Sequence, residues 1–270
     1  MTGAADRMLA HERHGDGPVA VALLHGVGGS RRIWADEVSG TARALAQAGF
    51  TALALDLPGY GDSALPEDLS MASMAQAVGD TLQALGFEQA VLLGHSMGGM
   101  VAQEFAATWP QRVRALVLAC TSPAFGRPGG DWQQAFLRDR LAPLDAGHGM
   151  AAVAARLVPA MVAPKVPEAA QEAARRIMSA VSPATYRAAL GALVHFDRRA
   201  ALPALRMPTL CLAAAHDRTA LPEVMQRMSA HIPGAEYVCL PDAGHIANVE
   251  QPEAFNRAVV QFLGRHFQMP

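Results

Sequence analysis

The stretch AVLLGHSMGGMVAQEFAATWP, residues 90–110, decides the fold. Its first part is an apolar run that reads, with Gln89, as a buried strand over 89–93. Its last part has helical spacing from Met97 to Trp109 and stops at Pro110, which has no amide to donate. Between them lies Gly94-His95-Ser96-Met97-Gly98, a turn with a glycine on each side of a serine. A strand that turns so sharply into a helix is the repeating unit of a parallel sheet with crossover helices.

Toward the N-terminus, Val19–Leu24 is a compact apolar strand and Thr51–Leu55 another. The residues between them, from Ile33 to Ala48, have helical spacing, with Gly49 placed to stop the helix. Ser70 to Leu85 predicts a helix with Gly86 behind it. Toward the C-terminus, Val113–Ala119, Pro208–Ala213 and Glu236–Leu240 are further strands, and a helix from Pro252 to Phe267 follows. These strands are nearly all apolar, as expected where helices cover both faces of a sheet. From Ser122 to Arg206 the strand rhythm stops, and helical stretches are punctuated by proline and glycine. The expected architecture is a mostly parallel, doubly wound α/β sheet: residues 1–122 and 206–270 form the core and residues 123–205 a helical insertion.

Composition narrows the function. With 270 residues, 51% hydrophobic and 17% charged, the chain is long enough for one large domain with a sizeable core. Its net charge of −2 argues against a nucleic-acid partner, which needs a basic face. Cys120, Cys211 and Cys239 are odd in number, far apart and set in apolar runs, so neither a disulfide framework nor a zinc site is expected. Charges interrupt the first eighteen residues where a signal peptide would be apolar. No run reaches the roughly 18 apolar residues of a membrane span. The expectation is a soluble, cytoplasmic protein without metal or cofactor and with no membrane partner; a homodimer stays open.

The motif around Ser96 carries the chemistry. A G-x-S-x-G turn between strand and helix holds its serine at strained backbone angles and projects the Oγ beyond the carboxyl edge of the sheet. The amide of Met97 then lies at a helix N-terminus, where negative charge is stabilised. A serine hydroxyl needs a base, and the base an orienting acid. His245, in the loop PDAGHIANVEQP between the last strand and the last helix, emerges at the same edge. Asp217 follows the strand PTLCLAAA directly and gives the chain order Ser–Asp–His. The rival Asp242 reads as a turn-forming residue. After Val113–Ala119, Cys120-Thr121-Ser122-Pro123 offers no carboxylate. A second oxyanion donor is expected from Val27 in the glycine-rich loop HGVGGS, which His25 would brace; that loop lacks the lysine of a phosphate-binding motif.

Together HGVGGS, DLPGYGDS, GHSMGG, HDRTALP and DAGHIANVEQPEAFN resemble the α/β-hydrolase superfamily over essentially the whole chain. The resemblance implies the α/β-hydrolase fold, with residues 123–205 as a helical cap inserted after the sixth strand. It implies Ser96 as nucleophile, Asp217 as acid, His245 as base, and the amides of Val27 and Met97 as oxyanion hole. SMGGMVAQEFA, LACTSP and the tail GHIANVEQPEAFNRAVVQFL are similar to 3-oxoadipate enol-lactonases and their esterase relatives. The activity so implied is hydrolysis of a small ester or lactone. Cleavage of a carbon–carbon bond in a ring-fission diketone uses the same triad and stays open, as does a non-catalytic ligand-binding role, against which the intact triad argues. Trp132, Phe136 and Tyr186 in the insertion are candidates to contact substrate, and Arg31 and Arg32 to reach a substrate carboxylate.

Overall fold

A computed structural model of the chain describes residues 8–35, 37–126 and 130–268. Its centre follows from strands with no polar face. In β2 (Ala20–Leu24), β3 (Thr51–Leu55), β4 (Ala90–His95) and β6 (Thr209–Ala214) every residue is buried. Such strands are stable only between two helical layers. With β1 (His11–His14), β5 (Val113–Ala119) and β7 (Glu236–Leu240) they form one seven-stranded sheet in the order β1-β3-β2-β4-β5-β6-β7. All neighbours pair in parallel except the edge strand β1, which is antiparallel to β3.

This order places the site. From β2 the chain crosses to β3 on one side, then returns to β4 on the other and moves outward through β5, β6 and β7. The direction therefore reverses between β2 and β4, and the loops after those two strands diverge around a crevice at the carboxyl edge. One loop is HGVGGS; the other is the turn at Ser96. Helices α1 (Thr41–Gln47) and α10 (Pro252–His266) pack on each other, as do α2 (Met71–Ala84) and α3 (Met97–Thr108).

Between β5 and β6 the named elements among the described residues are helical: α4 (Asp131–Asp145), α5 (Met150–Met161), α6 (Glu168–Ser179), α7 (Pro183–Leu193) and a 3-10 turn. An isolated bridge, Ala124 to Asp197, ties the two ends of this stretch together. Among the described residues it follows the fifth strand, not the sixth, because β1 is the one strand before β2. A second difference concerns the helix expected over Ile33 to Ala48. The chain forms a 3-10 turn at Arg31–Trp34 and only the seven-residue α1. Gly40 sits at φ +60°, and the Ala35 carbonyl accepts both the Ser39 and Gly40 amides. The apolar period is thus carried by two short pieces out of register. No helix among the described residues is long and apolar enough to cross a membrane.

Candidate active site

Ser96 directly follows β4 and caps α3 at φ 53° and ψ −118°. A non-glycine residue is held there only when its surroundings fix it. A Cβ on Gly94 would overlap the Gly98 carbonyl, and one on Gly98 the Leu24 carbonyl, so both positions require glycine. The Ser96 amide donates to the Ala119 carbonyl at 2.9 Å, and the Thr121 hydroxyl donates to the Ser96 carbonyl at 2.7 Å. Cys120, at the neighbouring end of β5, is the other non-glycine residue at positive φ among the described residues.

Three chain segments converge on this serine. His245 Nε2 lies 3.0 Å from Ser96 Oγ, and His245 Nδ1 lies 2.8 Å from Asp217 Oδ2. In the neutral ring the serine hydroxyl donates to Nε2 while Nδ1–H donates to the carboxylate. The amides of Thr219 and Ala220 donate to Asp217 Oδ1 at 2.7 and 2.9 Å. Burial pushes the Asp217 pKa up, but the His245 charge, its hydrogen bond and these two amides outweigh burial and hold it below the ordinary value. Asp217 and His245 are each 2% exposed. The rival Asp242 is exposed, its carbonyl accepting from Gln251.

The His245 loop is fixed from four directions. Its amide donates to the Met161 carbonyl at 2.7 Å, and its carbonyl accepts from His95 Nε2 at 2.6 Å. On either side, the Gly244 and Ile246 amides donate to the two carboxylate oxygens of Glu250 at 2.8 and 2.9 Å. The same Glu250 carboxylate accepts the Ala163 amide, just beyond α5. Burial pushes the Glu250 pKa up. Sequence reading missed Glu250, His95 and Thr121 because they act on backbone atoms brought close only by the tertiary fold. The nearest local signal is the acid of VEQP, five residues after His245.

The HGVGGS loop lies opposite. His25 Nδ1–H donates to the Gly26 carbonyl at 2.8 Å and its Nε2 accepts the Leu57 amide at 3.1 Å, so it braces the loop. The Tyr60 hydroxyl holds the Val27 carbonyl. Val27 shares one cavity with Ser96 and His245, and Met97 opens α3, where first-turn amides lack intrahelical acceptors.

That cavity, of about 60 Å³, is also lined by Met100, Phe125, Phe136, Arg140, Leu157 and Tyr186, among others. Phe136 and Tyr186 therefore face it, but Trp132 does not. Trp132 is 59% exposed and stacks on Phe125 and Phe136 from outside, extending their aromatic stripe past the cavity rim. Arg31 is taken up by Glu12, Asp56 and Asp62, and with Arg32 it lines a separate cleft. A wider cleft of about 580 Å³, beside Glu67–Ala72 and the end of α7, holds none of Ser96, Asp217 and His245. Chemistry, not volume, marks the candidate. Among the described residues no group of three or more His, Cys, Asp or Glu is placed to hold a metal.

Comparison with known proteins agrees in fold. The family described as alpha/beta hydrolase fold matches residues 19–252. The chain is 35% identical over 265 residues to a protein of Variovorax paradoxus named as the carbamate hydrolase RutD, covering 95% of this chain and 96% of that one. A thermophilic esterase from Thermogutta terrifontis superposes with a TM-score of 0.84 at 29% identity, covering 96% of this chain and 93% of the other. The enol-lactonase from Burkholderia xenovorans LB400 gives 0.85 at 25% identity, over 95% and 96%.

Proposed function

The chain belongs to the α/β-hydrolase family, and from that premise we propose that it is a serine hydrolase acting on a small ester or lactone. The observation that carries this reading is the continuous hydrogen-bonded relay from Ser96 Oγ through His245 to Asp217, at 3.0 and 2.8 Å. His245 takes the Ser96 proton as Oγ attacks the carbonyl carbon. The amides of Val27 and Met97 meet the oxyanion, a role supported by the place of Val27 in the cavity wall and of Met97 at the start of α3. His245 then protonates the leaving oxygen, and an acyl-enzyme remains on Ser96. Water, deprotonated by the same imidazole, releases the acid. Asp217 keeps Nδ1 protonated and stabilises the imidazolium; its low pKa keeps it charged throughout.

Residues 123–205 serve in this reading as a cap over the carboxyl edge, with Phe136 and Tyr186 contacting substrate. A cavity of about 60 Å³ holds roughly two waters, whereas ligand pockets run to about 300–1,000 Å³. In this reading substrate makes room by displacing flexible lining side chains such as Met100, Met161 and Met178, and the covering helices exclude water from the acyl-enzyme.

The test is turnover of a panel of acyl esters, lactones, carbamates and ring-fission diketones by wild type and Ser96→Ala. Hydrolysis of esters or lactones that falls by about 10⁴-fold or more in Ser96→Ala is expected. Turnover that survives the substitution, or is confined to diketones, would overturn the reading.

A further inference from the structure

We propose that the substrate carries a carboxylate and that Arg140, on α4, recognises it. The inference rests on the reading of Ser96 as nucleophile and names the class of ester or lactone that reaches it.

Among the described residues, Arg140 is, apart from His245, the one cationic side chain in the cavity wall, which is otherwise mostly Met, Leu, Phe, Tyr and small residues. A guanidinium stays protonated whatever its surroundings, and Arg140 is half-buried, so solvent meets its charge on one side and neighbouring groups on the other. Two groups meet it in part. Arg140 Cζ lies 5.0 Å from the centre of the Phe136 ring, a cation–π contact. The guanidinium also lies against the Tyr186 hydroxyl, where its charge opposes the rise that burial imposes on that phenol.

What Arg140 lacks is a counter-ion. Among the described residues no carboxylate oxygen comes within 4.0 Å of it, and the two carboxylates nearest to it in sequence on its own helix, Asp139 and Asp145, are engaged elsewhere. Asp139 pairs with Arg156, and Asp145 with Arg187. Arg31, by contrast, is matched by three carboxylates and has no capacity left. A planar fork without a carboxylate partner suits a monoanion bound by two parallel N–H···O bonds, the geometry of a carboxylate. Because Arg140 and Ser96 line the same small cavity, the carboxylate and the scissile carbonyl belong to one compact molecule.

The experiment pairs charged with neutral substrates. 4-Nitrophenyl monoesters of linear dicarboxylic acids, succinate to adipate, are compared with neutral esters of equal length. Acetyl esters of hydroxybenzoate and hydroxybenzamide place the charge on the alcohol side. For at least one pair, wild type should favour the anion, and Arg140→Gln should lower the anion-to-neutral ratio of kcat/KM by about 10- to 100-fold. Arg140→Lys should keep part of the preference. A ratio within about twofold of wild type in Arg140→Gln, for every pair, overturns the proposal.

Binding separates this outcome from failure of the serine reading. Glutarate and adipate are titrated by calorimetry into Ser96→Ala and into Ser96→Ala combined with Arg140→Gln. Affinity at least about tenfold weaker in the double variant supports Arg140 even if neither ester class is turned over. Equal affinity, or no binding to either protein, overturns it even if Ser96 proves essential for hydrolysis.

Discussion

The two walls of the cavity are built by different physics. On the sheet side, side chains hold backbone: His25 grips the Gly26 carbonyl and the Leu57 amide, Thr121 the Ser96 carbonyl, and Glu250 the amides flanking His245. Each bond fixes an atom to within a few tenths of an ångström, and the donors and acceptors are buried. On the helical side, Phe136, Leu157, Met178, Leu190 and Leu193 meet the cavity through packing alone. Packing constrains volume and shape, but it tolerates repacking that a buried polar network does not. In the proposed reading, one wall holds the reacting atoms in register and the other shapes the space that substrate enters.

The largest expected effect probes the polar wall by acid. Burial lowers the His25 pKa to about 4 and the His95 pKa to about 3. His95 Nδ1 is buried without a hydrogen-bond partner among the described residues, so a proton there would be unmatched. Between pH 6.5 and 4.5 the unfolded chain therefore binds protons at these positions that the folded chain refuses, and stability falls with pH. Two histidines at about 1.4 kcal/mol per pH unit each give a loss on the order of 4 kcal/mol. Glu250, raised by burial, takes its proton first in the fold and offsets part of this. His148 and His195, in the helical stretch, are exposed. Urea unfolding across this range, with hydrogen exchange to locate the loosening, should show it first at the sheet edge. Loosening that begins at α4–α7 would break the comparison.

A smaller effect tests a carboxylate that bonds to both sides, to the amides flanking His245 and to the Ala163 amide beyond α5. Glu250→Gln leaves an oxygen for two of the three amides but turns an N–H toward the third donor. Unfolding free energy should drop by about 1–3 kcal/mol. Misplacement of His245 should lower kcat by roughly 10- to 100-fold, with KM changed far less. An unaltered kcat would make Glu250 a structural clasp without influence on the base.

The smallest effect contrasts two aromatic residues one turn apart on α4. Phe136 lines the cavity, and Trp132 lies outside it. Phe136→Ala should reorder preference among acyl chains by about 1–3 kcal/mol in transition-state binding. Trp132→Ala should leave the order of acyl chains as it is. Equal reordering by both would mean that the stripe acts as one unit.

The same division explains which features are legible in the sequence. Thr51–Leu55 matches its strand residue for residue, because a buried parallel strand is an apolar run; Val113–Ala119 and Glu236–Leu240 match too, although Arg114 is exposed and the edge strand β7 buries only Leu240. Ser96, Asp217 and His245 could be nominated because each follows a strand at the carboxyl edge, and the fold brings them together. Glu250 gave no such signal: nothing local says that a glutamate near a proline will be 4% exposed and bound to three amides. In the helical stretch periodicity marks an apolar face without saying which part of it meets the cavity. Trp132 and Phe136, at i and i+4, are equivalent by sequence and differ only in where the rim falls.

The central claim is that Ser96 is the nucleophile, activated through His245 and Asp217 at the sheet edge. The most direct measurement is covalent labelling with a fluorophosphonate, followed by peptide mass spectrometry on wild type, Ser96→Ala and Asp217→Asn. The account predicts one phosphonyl group per chain, located on Ser96. It predicts no labelling of Ser96→Ala and labelling of Asp217→Asn slowed by about 10³-fold or more, since the histidine loses its orienting acid. A label on another residue, or equal rates in wild type and Asp217→Asn, would contradict it.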